Sequence, residues 1–249
     1  MRAERAASFA RVADAYERAR PGYPADAVLW LAGETPCDVV DLGAGTGKLT
    51  RSLAALGHHV VAVEPLGEML DQLRAAVPGV TAVVGTAESM PLPDASTDVV
   101  ACAQAFHWFD HDPALAEIAR VLRPGGRLAL VWNVRDERIP WVSELSDAMV
   151  GRTGVDRVFR ISASGRGAAG PIEQSGLFGE VERATFEHTH EVDREGLRAL
   201  VLSRSYCAVL SEEERAPIFG RVDALFDAHA RDGMLTLPYA VECFRAARV

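Results

Sequence analysis

Short apolar runs alternate with stretches of helical periodicity between Cys37 and Asn133. The apolar runs predict strands over 38–42, 59–64, 80–85, 97–104 and 126–133, and the helical stretches cover 48–56, 67–76 and about 113–122. The connections are too long for hairpins and the strands are apolar on both faces, which indicates a parallel sheet with crossover helices. Right-handed crossovers then give a doubly wound sheet.

The rhythm changes after Asn133. Residues 137–150 are helical in pattern, 163–171 read as a loop, 180–192 alternate like a strand, 194–229 are largely helical and 234–248 end in a strand. The two late strands predict an antiparallel pair at one edge of the sheet. The helices between them are expected to form a cap over the carboxyl ends of the strands, where open α/β sheets bind their ligands.

Composition narrows the class of protein. The chain has 249 residues, of which 49% are hydrophobic, enough for one α/β domain with additions. A net charge of −9 without a run of Lys or Arg argues against a nucleic-acid partner. No apolar run is long enough for a membrane span, so we expect a cytoplasmic protein without a membrane partner. The first twenty residues are Arg- and Ala-rich, but their acidic residues Glu4, Asp14 and Glu17 favour an amphipathic helix over a transit peptide.

Metal chemistry is not expected. Four scattered cysteines form no CxxC pair, which argues against a zinc site or a disulfide framework. The segment "QAFHWFDHD" at 104–112 offers His107, Asp110, His111 and Asp112, but it lacks a convincing third ligand elsewhere in the sequence. His188 and His190 would share the face of an exposed strand.

The glycine-rich stretch "VVDLGAGTGKLT", 39–50, carries the strongest chemical signal. A P-loop requires GxxxxGK[ST], and Leu42 and Leu49 occupy two of its required positions. A dinucleotide fingerprint requires GxGxxG, and Lys48 occupies the third glycine position, where helix and strand must pack closely. The pattern that remains is DxGxGxG, which begins at Asp41.

This pattern resembles motif I of the class I S-adenosylmethionine-dependent methyltransferases. The resemblance continues in order through "VVAVEP", "EPLGEML", "GTAESMPLPDASTDVV", "AQAFHWF" and "RVLRPGGRLAL". The last segment is characteristic of the branch that contains the ubiquinone/menaquinone-biosynthesis-type (type 11) methyltransferases. The family implies a Rossmann-like, doubly wound, seven-stranded, mostly parallel α/β sheet with an antiparallel edge pair, an N-terminal lid and a helical cap.

The resemblance also implies how the chain is divided. It predicts one methyltransferase domain over 1–249, with an N-terminal helical lid at 1–35 and a cofactor-binding core at 36–135. The cap would occupy 136–232, including the edge strand near 180–192, and the final strand would occupy 233–249.

The family implies a set of cofactor contacts. S-adenosylmethionine has no phosphate, so the glycine loop would pass beneath its amino-acid end and ribose, while Glu64 would accept the ribose hydroxyls, a charge-assisted arrangement. Asp41 would help to hold the methionine amino group, and Gln104 and Ala105 would line the methionine moiety. The complete predicted set is Tyr16, Arg20, Asp41, Gly43, Ala44, Gly45, Gly47, Glu64, Pro65, Met69, Thr86, Ala87, Glu88, Gln104 and Ala105.

Several of these roles have alternatives. Met69 would face the adenine or belong to the core. Thr86 stands where the family usually has an Asp that takes the adenine amino group, so either the Thr86 hydroxyl or Glu88 would take its place. The Ala87 N–H would reach a ring nitrogen of the adenine. In the lid, Tyr16 would face the sulfonium in a cation–π contact and Arg20 would pair with the methionine carboxylate, unless the helix simply packs.

The activity implied is in-line methyl transfer from S-adenosylmethionine to a small-molecule acceptor that the sequence does not name. A nicotinamide-dependent oxidoreductase and a non-catalytic S-adenosylmethionine-binding protein are the alternatives. His107 is the candidate catalytic residue, either as a general base or, as we prefer, as a wall of the acceptor pocket.

Overall fold

The structure is a computed structural model that describes residues 20–149, 167–203, 207 and 210–249. The predicted helix of the first twenty residues lies outside the described residues except for Arg20, so Tyr16 has no structural account. The first four residues of the predicted loop at 163–171 also lie outside them.

The strands fall close to their predicted positions. They are β1 Asp38–Leu42, β2 His59–Glu64, β3 Thr81–Val84, β4 Thr97–Ala103, β5 Leu122–Arg135, β6 Glu182–Val192 and β7 Leu235–Ala247. Strand β5 begins four residues earlier than predicted, because Leu122 pairs with Thr97 before a register shift.

The helices separate the strands as the crossover pattern requires. They are α1 Ala25–Ala32, α2 Lys48–Ala55, α3 Gly67–Ala76, α4 His111–Val121, α5 Pro140–Met149, α6 Ala169–Gln174, α7 Arg194–Leu202 and α8 Glu212–His229, with a short 3-10 helix at Phe106–Trp108. Helix α6 occupies the end of the predicted loop.

Within the described residues seven strands form one sheet in the order β3-β2-β1-β4-β5-β7-β6. The pairs β1–β2, β1–β4, β2–β3 and β4–β5 are parallel. Strands β6 and β7 are the antiparallel edge pair, extended past their ends by an antiparallel bridge between Phe178 and Arg248. This order confirms the predicted doubly wound sheet, since the strand order reverses at β1 and β4.

The chain divides into two compact units. The core unit comprises the described residues 22–133, 167–186 and 241–249. One face of its sheet is covered by α1 and α2, which bury Val28, Leu31, Leu49 and Leu53 against it. Alternate strand residues that point to the opposite face, such as Val40 and Leu128, are also buried, as expected of a parallel sheet.

The helical unit comprises the described residues within 20–21, 134–149 and 187–240. Its hydrophobic core joins residues of α5, α7 and α8 to the first residues of β7. Helix α8 begins with a capping box in which Ser211 and Glu214 bond each other's backbone N–H groups. No helix in the described parts of the chain is both long and apolar enough to cross a bilayer.

Candidate functional site

The glycine loop joins β1 to α2 in a run of left-handed backbone. The φ angles are 70° at Gly43, 56° at Gly45 and 88° at Gly47, which side-chain-bearing residues rarely adopt. The N–H groups of Gly43 and Ala44 donate to the carbonyl of Val63 at 2.8 and 3.2 Å, so the loop is fixed to the end of β2.

The three glycines differ in what lies beside them. A Cβ on Gly43 would stand 2.8 Å from the Cβ of Ala105, and one on Gly47 would stand 2.8 Å from Cγ of Leu73. A Cβ on Gly45 would meet no protein atom within 4 Å. Gly43 and Gly47 are therefore required by packing, whereas Gly45 leaves a bare stretch of backbone that a ligand can approach.

Glu64 ends β2 beside this loop and is 7% exposed. Its Oε2 accepts the N–H of Gly45 at 3.0 Å and its Oε1 accepts the N–H of Leu66 at 3.1 Å. Burial raises the pKa of the Glu64 carboxyl, and these two hydrogen bonds partly oppose that rise. Each carboxylate oxygen retains a second lone pair, so the group can accept two further donors such as the hydroxyls of a ribose.

Asp41 lies one strand away on β1 and is fully buried. Its Oδ2 accepts the hydroxyl of Thr50 at 2.5 Å, whereas its Oδ1 is buried with no hydrogen-bond partner among the described residues. Burial raises the pKa of the Asp41 carboxyl to about 7, with a smaller contribution from the neighbouring Glu64 charge and opposition from the Thr50 hydrogen bonds. An unpartnered buried carboxylate oxygen indicates that a donor is supplied by a ligand or by water.

A turn of residues Thr86–Ser89 follows β3 beside the tip of β2, since Glu64 pairs in register with Val84. Thr86 and Ser89 exchange backbone hydrogen bonds of 3.1 and 3.3 Å. Ala87 is buried, while Thr86 is exposed and the Glu88 carboxylate accepts the N–H of Asp110 at 3.0 Å. Glu88, one of the alternatives predicted for the adenine contact, thus holds the loop that follows β4.

Two further residues predicted to contact the cofactor, Pro65 and Met69, lie after the end of β2. Pro65 is exposed directly after the tip of β2, and Met69 is 8% exposed in the first turn of α3. Met69 is therefore largely enclosed by the protein, which leaves only a small part of its side chain for contact with a ligand.

Gln104 and Asn133, at the ends of β4 and β5, are joined by a hydrogen bond that fixes the backbone there. Gln104 has a φ of 59°, a left-handed conformation that is uncommon for a residue with a side chain. Its N–H donates to the carbonyl of Val131 at 3.0 Å, and its Nε2 donates to the carbonyl of Asn133 at 3.4 Å. Asn133 in turn donates from Nδ2 to the carbonyl of Gly22 at 3.0 Å. Backbone strain of this kind often marks functional sites.

His107 lies in the 3-10 helix after β4 and is half-buried. Its ring lies 4.9 Å from that of Trp108, which is 46% exposed. His111 instead stacks on Phe106, with ring centroids 4.7 Å apart. Among the described residues no cluster of three or more His, Cys, Asp or Glu side chains could hold a metal ion.

Arg20, predicted to pair with a methionine carboxylate, contacts the helical unit. Its guanidinium donates from Nε to the hydroxyl of Ser203 at 3.2 Å and from Nη2 to the carbonyl of Ser203 at 3.3 Å. Both partners belong to that unit, where Ser203 closes α7.

Sequence reasoning missed two residues of this site. Thr50 fixes one oxygen of Asp41 from the first turn of α2, nine positions along the chain. Asn133 holds the backbone at Gly22 from a distance of 111 positions. The first could have been found from a hydroxyl on the inward face of the helix after the glycine loop; the second has no local signal.

Comparison with known proteins agrees with this geometry. Residues 40–130 match the family described as "Methyltransferase domain". The chain is 46% identical over 242 residues to an uncharacterized methyltransferase of Mycobacterium tuberculosis, covering 96% of this chain and 95% of that protein. It is 38% identical over 219 residues to an uncharacterized methyltransferase-like protein of Schizosaccharomyces pombe, covering 86% and 83%. A solved structure from Anaeromyxobacter dehalogenans assigned to the type II methyltransferases aligns with a TM-score of 0.66 at 28% identity, covering 92% and 97%.

Proposed function

We propose, from the premise that the chain belongs to the S-adenosylmethionine-dependent methyltransferase family, that it binds S-adenosyl-L-methionine on the glycine loop and transfers the methyl group to a small-molecule acceptor. Family membership makes the chain an enzyme and removes the nicotinamide-dependent and non-catalytic alternatives. The cofactor and the class of acceptor are the proposed parts.

The observation that carries this proposal is the pair of buried carboxyls beside open backbone. Asp41 Oδ1 is buried without a partner among the described residues, Glu64 is buried nearby, and Gly45 has open space beside it. Buried acids favour a cation, because a nearby positive charge offsets the cost of burying the carboxylate. S-adenosylmethionine is positively charged at its sulfonium and amino group, whereas ATP and NAD would bring phosphates to the glycine loop, where the Asp41 carboxylate would repel them.

We assign each part of the proposed ligand, S-adenosylmethionine, to a different part of the site. The Glu64 carboxylate would accept the ribose hydroxyls, Asp41 would hold the amino group directly or through water, and the Thr86–Ser89 turn would face the adenine. When bound, S-adenosylmethionine supplies a methyl group already activated by its sulfonium, with a neutral thioether as the leaving group. The chain then contributes chiefly by orienting the acceptor, which can account for roughly 7–11 kcal/mol of the barrier.

A small molecule is the proposed acceptor because the type 11 branch that the motifs resemble acts on small molecules. The net charge of −9, without a run of Lys or Arg, also argues against a nucleic-acid acceptor. The aromatic segment Phe106–Phe109 after β4 would form part of the acceptor pocket.

Calorimetry with four ligands tests the cofactor. We expect S-adenosylmethionine and S-adenosylhomocysteine to bind and NADH and ATP to bind far more weakly. Tighter binding of NADH than of S-adenosylhomocysteine would contradict the proposal. A screen of small acceptors with methyl-labelled cofactor then tests the proposed methyl transfer to a small molecule.

The pKa of Asp41 leads to a pH dependence. Without ligand the folded protein keeps the Asp41 carboxyl neutral up to a pKa of about 7, whereas the unfolded chain ionises it near pH 4. Raising the pH from about 4 to about 7 therefore favours the unfolded chain and lowers the free energy of unfolding. A bound ammonium favours the carboxylate. We therefore expect affinity for S-adenosylhomocysteine to rise about tenfold between pH 6 and pH 8, with proton release below pH 7.

Calorimetry at pH 6, 7 and 8 in two buffers of different ionisation enthalpy measures both the affinity for S-adenosylhomocysteine and the number of protons released on binding. Glu64 also has a raised pKa, so the control is Asp41→Asn, which removes only the Asp41 titration. The variant should bind more weakly at pH 8 and change less with pH. The same pH profile in the variant and the wild type would show that Asp41 does not hold the amino group.

His107 is expected to position the acceptor rather than to remove its proton. His107→Asn should raise the acceptor KM severalfold and leave kcat within about tenfold, since loss of a general base typically costs about 10²–10⁴ in rate. His59→Asn, an exposed histidine at the start of β2, is the control for loss of an imidazole. A fall in kcat of a hundredfold or more, together with loss of the acid limb of the pH profile, would identify His107 as a base.

A further inference from the structure

The segment between β3 and β4 is held mainly by helix α4. Residues 85–96 contain the Thr86–Ser89 turn, which the proposed function assigns to the adenine end of the cofactor. Past this turn the chain forms no regular strand or helix until β4 begins at Thr97. Its conformation must therefore be set by other contacts, and most of those come from α4.

Glu117 and Arg120 of α4 supply these contacts. Glu117 Oε1 accepts the N–H of Met90 at 2.7 Å, and Arg120 donates to the carbonyls of Leu92 at 2.9 Å and Met90 at 3.2 Å. Arg120 also bonds the Asp94 carboxylate at 2.5 Å. Two hydrogen bonds of 2.7 and 2.8 Å join Arg120 to the two oxygens of Glu117, a bidentate pair that fixes both side chains.

The backbone of α4 completes the attachment. The carbonyl of Arg120 accepts the N–H of Ala95 at 2.9 Å, and the carbonyl of Val121 accepts the N–H of Ser96 at 2.8 Å. Met90, whose N–H and carbonyl are both held by the pair, directly follows Ser89 and buries its side chain to 4% exposure. The Glu117–Arg120 ion pair thus fixes the backbone at Met90, one residue after the turn.

We infer that Glu117 and Arg120 are positioning residues for the adenine end of the cofactor, which act by holding the Thr86–Ser89 turn in place rather than by touching the ligand. The inference rests on the proposed function. A loop that is already ordered loses less conformational freedom when ligand binds, so removing the ion pair should weaken binding of the base and leave the rest of the ligand unaffected.

Two ligands that differ only in the base separate this role from general destabilisation. S-adenosylhomocysteine carries homocysteine, ribose and adenine, and S-ribosylhomocysteine carries the same groups without the adenine. Arg120→Met should lower affinity for S-adenosylhomocysteine about fivefold to tenfold and change affinity for S-ribosylhomocysteine less than about twofold. Calorimetry measures the first, and displacement of S-adenosylhomocysteine measures the weaker ligand.

Arg245→Met is the matched control. Arg245 also lies in the core unit with a side chain 26% exposed, against 33% for Arg120, and it joins a carboxylate, Glu182, to a backbone carbonyl, Trp30. The control should lose thermal stability to a similar degree without changing either affinity. Glu117→Gln keeps an acceptor for the Met90 N–H but loses the charge that pairs with Arg120, so it should show the same selective loss at smaller size, about threefold for S-adenosylhomocysteine.

The outcomes are distinct. Equal loss of both ligands in Arg120→Met, or no loss of either, overturns the inference and leaves the proposed function standing. A wild type that binds neither ligand overturns both. If Arg120→Met does not fold, Arg120→Lys retains the charge without the bidentate geometry, and it must show the same selective loss at smaller size for the inference to hold.

Discussion

Replacing Gly47 with alanine is expected to destabilise the fold by about 3 kcal/mol, because two costs add. The new side chain must adopt a left-handed φ of 88°, and its Cβ would stand 2.8 Å from Cγ of Leu73 in α3. Leu73 is fully buried, so it cannot move aside without disturbing its neighbours. Chemical denaturation measures the loss.

Gly45→Ala is the matched variant. It also introduces a side chain at positive φ, 56°, but into space with no protein atom within 4 Å. We expect a stability loss of only about 1 kcal/mol from the backbone term. Affinity for S-adenosylhomocysteine should nevertheless fall at least about tenfold, since the methyl group would occupy the proposed ligand surface. Equal destabilisation by the two variants would refute the distinction between packing and ligand glycines.

Replacing Glu64 with glutamine is expected to weaken binding of S-adenosylhomocysteine about thirtyfold, equivalent to about 2 kcal/mol. The substitution preserves shape but removes the charge that would strengthen the proposed hydrogen bonds from two ribose hydroxyls. The amide NH2 would also face one of the two N–H groups, of Gly45 or Leu66, that the carboxylate accepts. A change of less than about threefold in calorimetry would place the ribose elsewhere.

Thermal melting of Glu64→Gln and Glu64→Ala separates binding from folding. Glutamine can still accept one of the two backbone N–H groups, and it relieves the cost of burying a charge, so its melting temperature should change little. Alanine leaves both N–H groups without their acceptor in a residue position only 7% exposed, and it should destabilise the ligand-free protein by about 2 kcal/mol. Similar melting of the two variants would mean that Glu64 does not support the loop.

The sheet was predictable because its signals are local. Each parallel strand is a short apolar run, and the strands from β1 to β4 begin and end within one residue of their predicted bounds. Strand β5 was predicted to begin only at Gly126 because Pro124 and Gly125, which precede it, are atypical of a strand. Gly126 is needed there because a Cβ would stand 2.9 Å from the carbonyl oxygen of Asp98 on the neighbouring strand. Sequence pattern cannot reveal such a close approach.

The candidate site also contains parts that the local sequence predicts and parts that depend on tertiary packing. The glycine loop and the acid at the tip of β2 lie within 26 residues of each other and follow a recognisable pattern. The burial of Asp41 and Glu64 could not be read from that pattern, since it depends on packing around both strands. The hydrogen bond from Arg120 to the carbonyl of Met90 joins positions 30 residues apart, and no pattern in either segment predicts that the two residues are in contact.

Helix α4 has a consequence for how the enzyme could acquire new substrates. The loop that carries His107 leads into its first turn, and its last two turns hold the segment after Thr86–Ser89. A substitution that reshapes the acceptor side by shifting this helix would also shift the cofactor side. Laboratory evolution towards new acceptors should therefore accumulate changes in side chains of the 104–109 loop and spare the axis of α4.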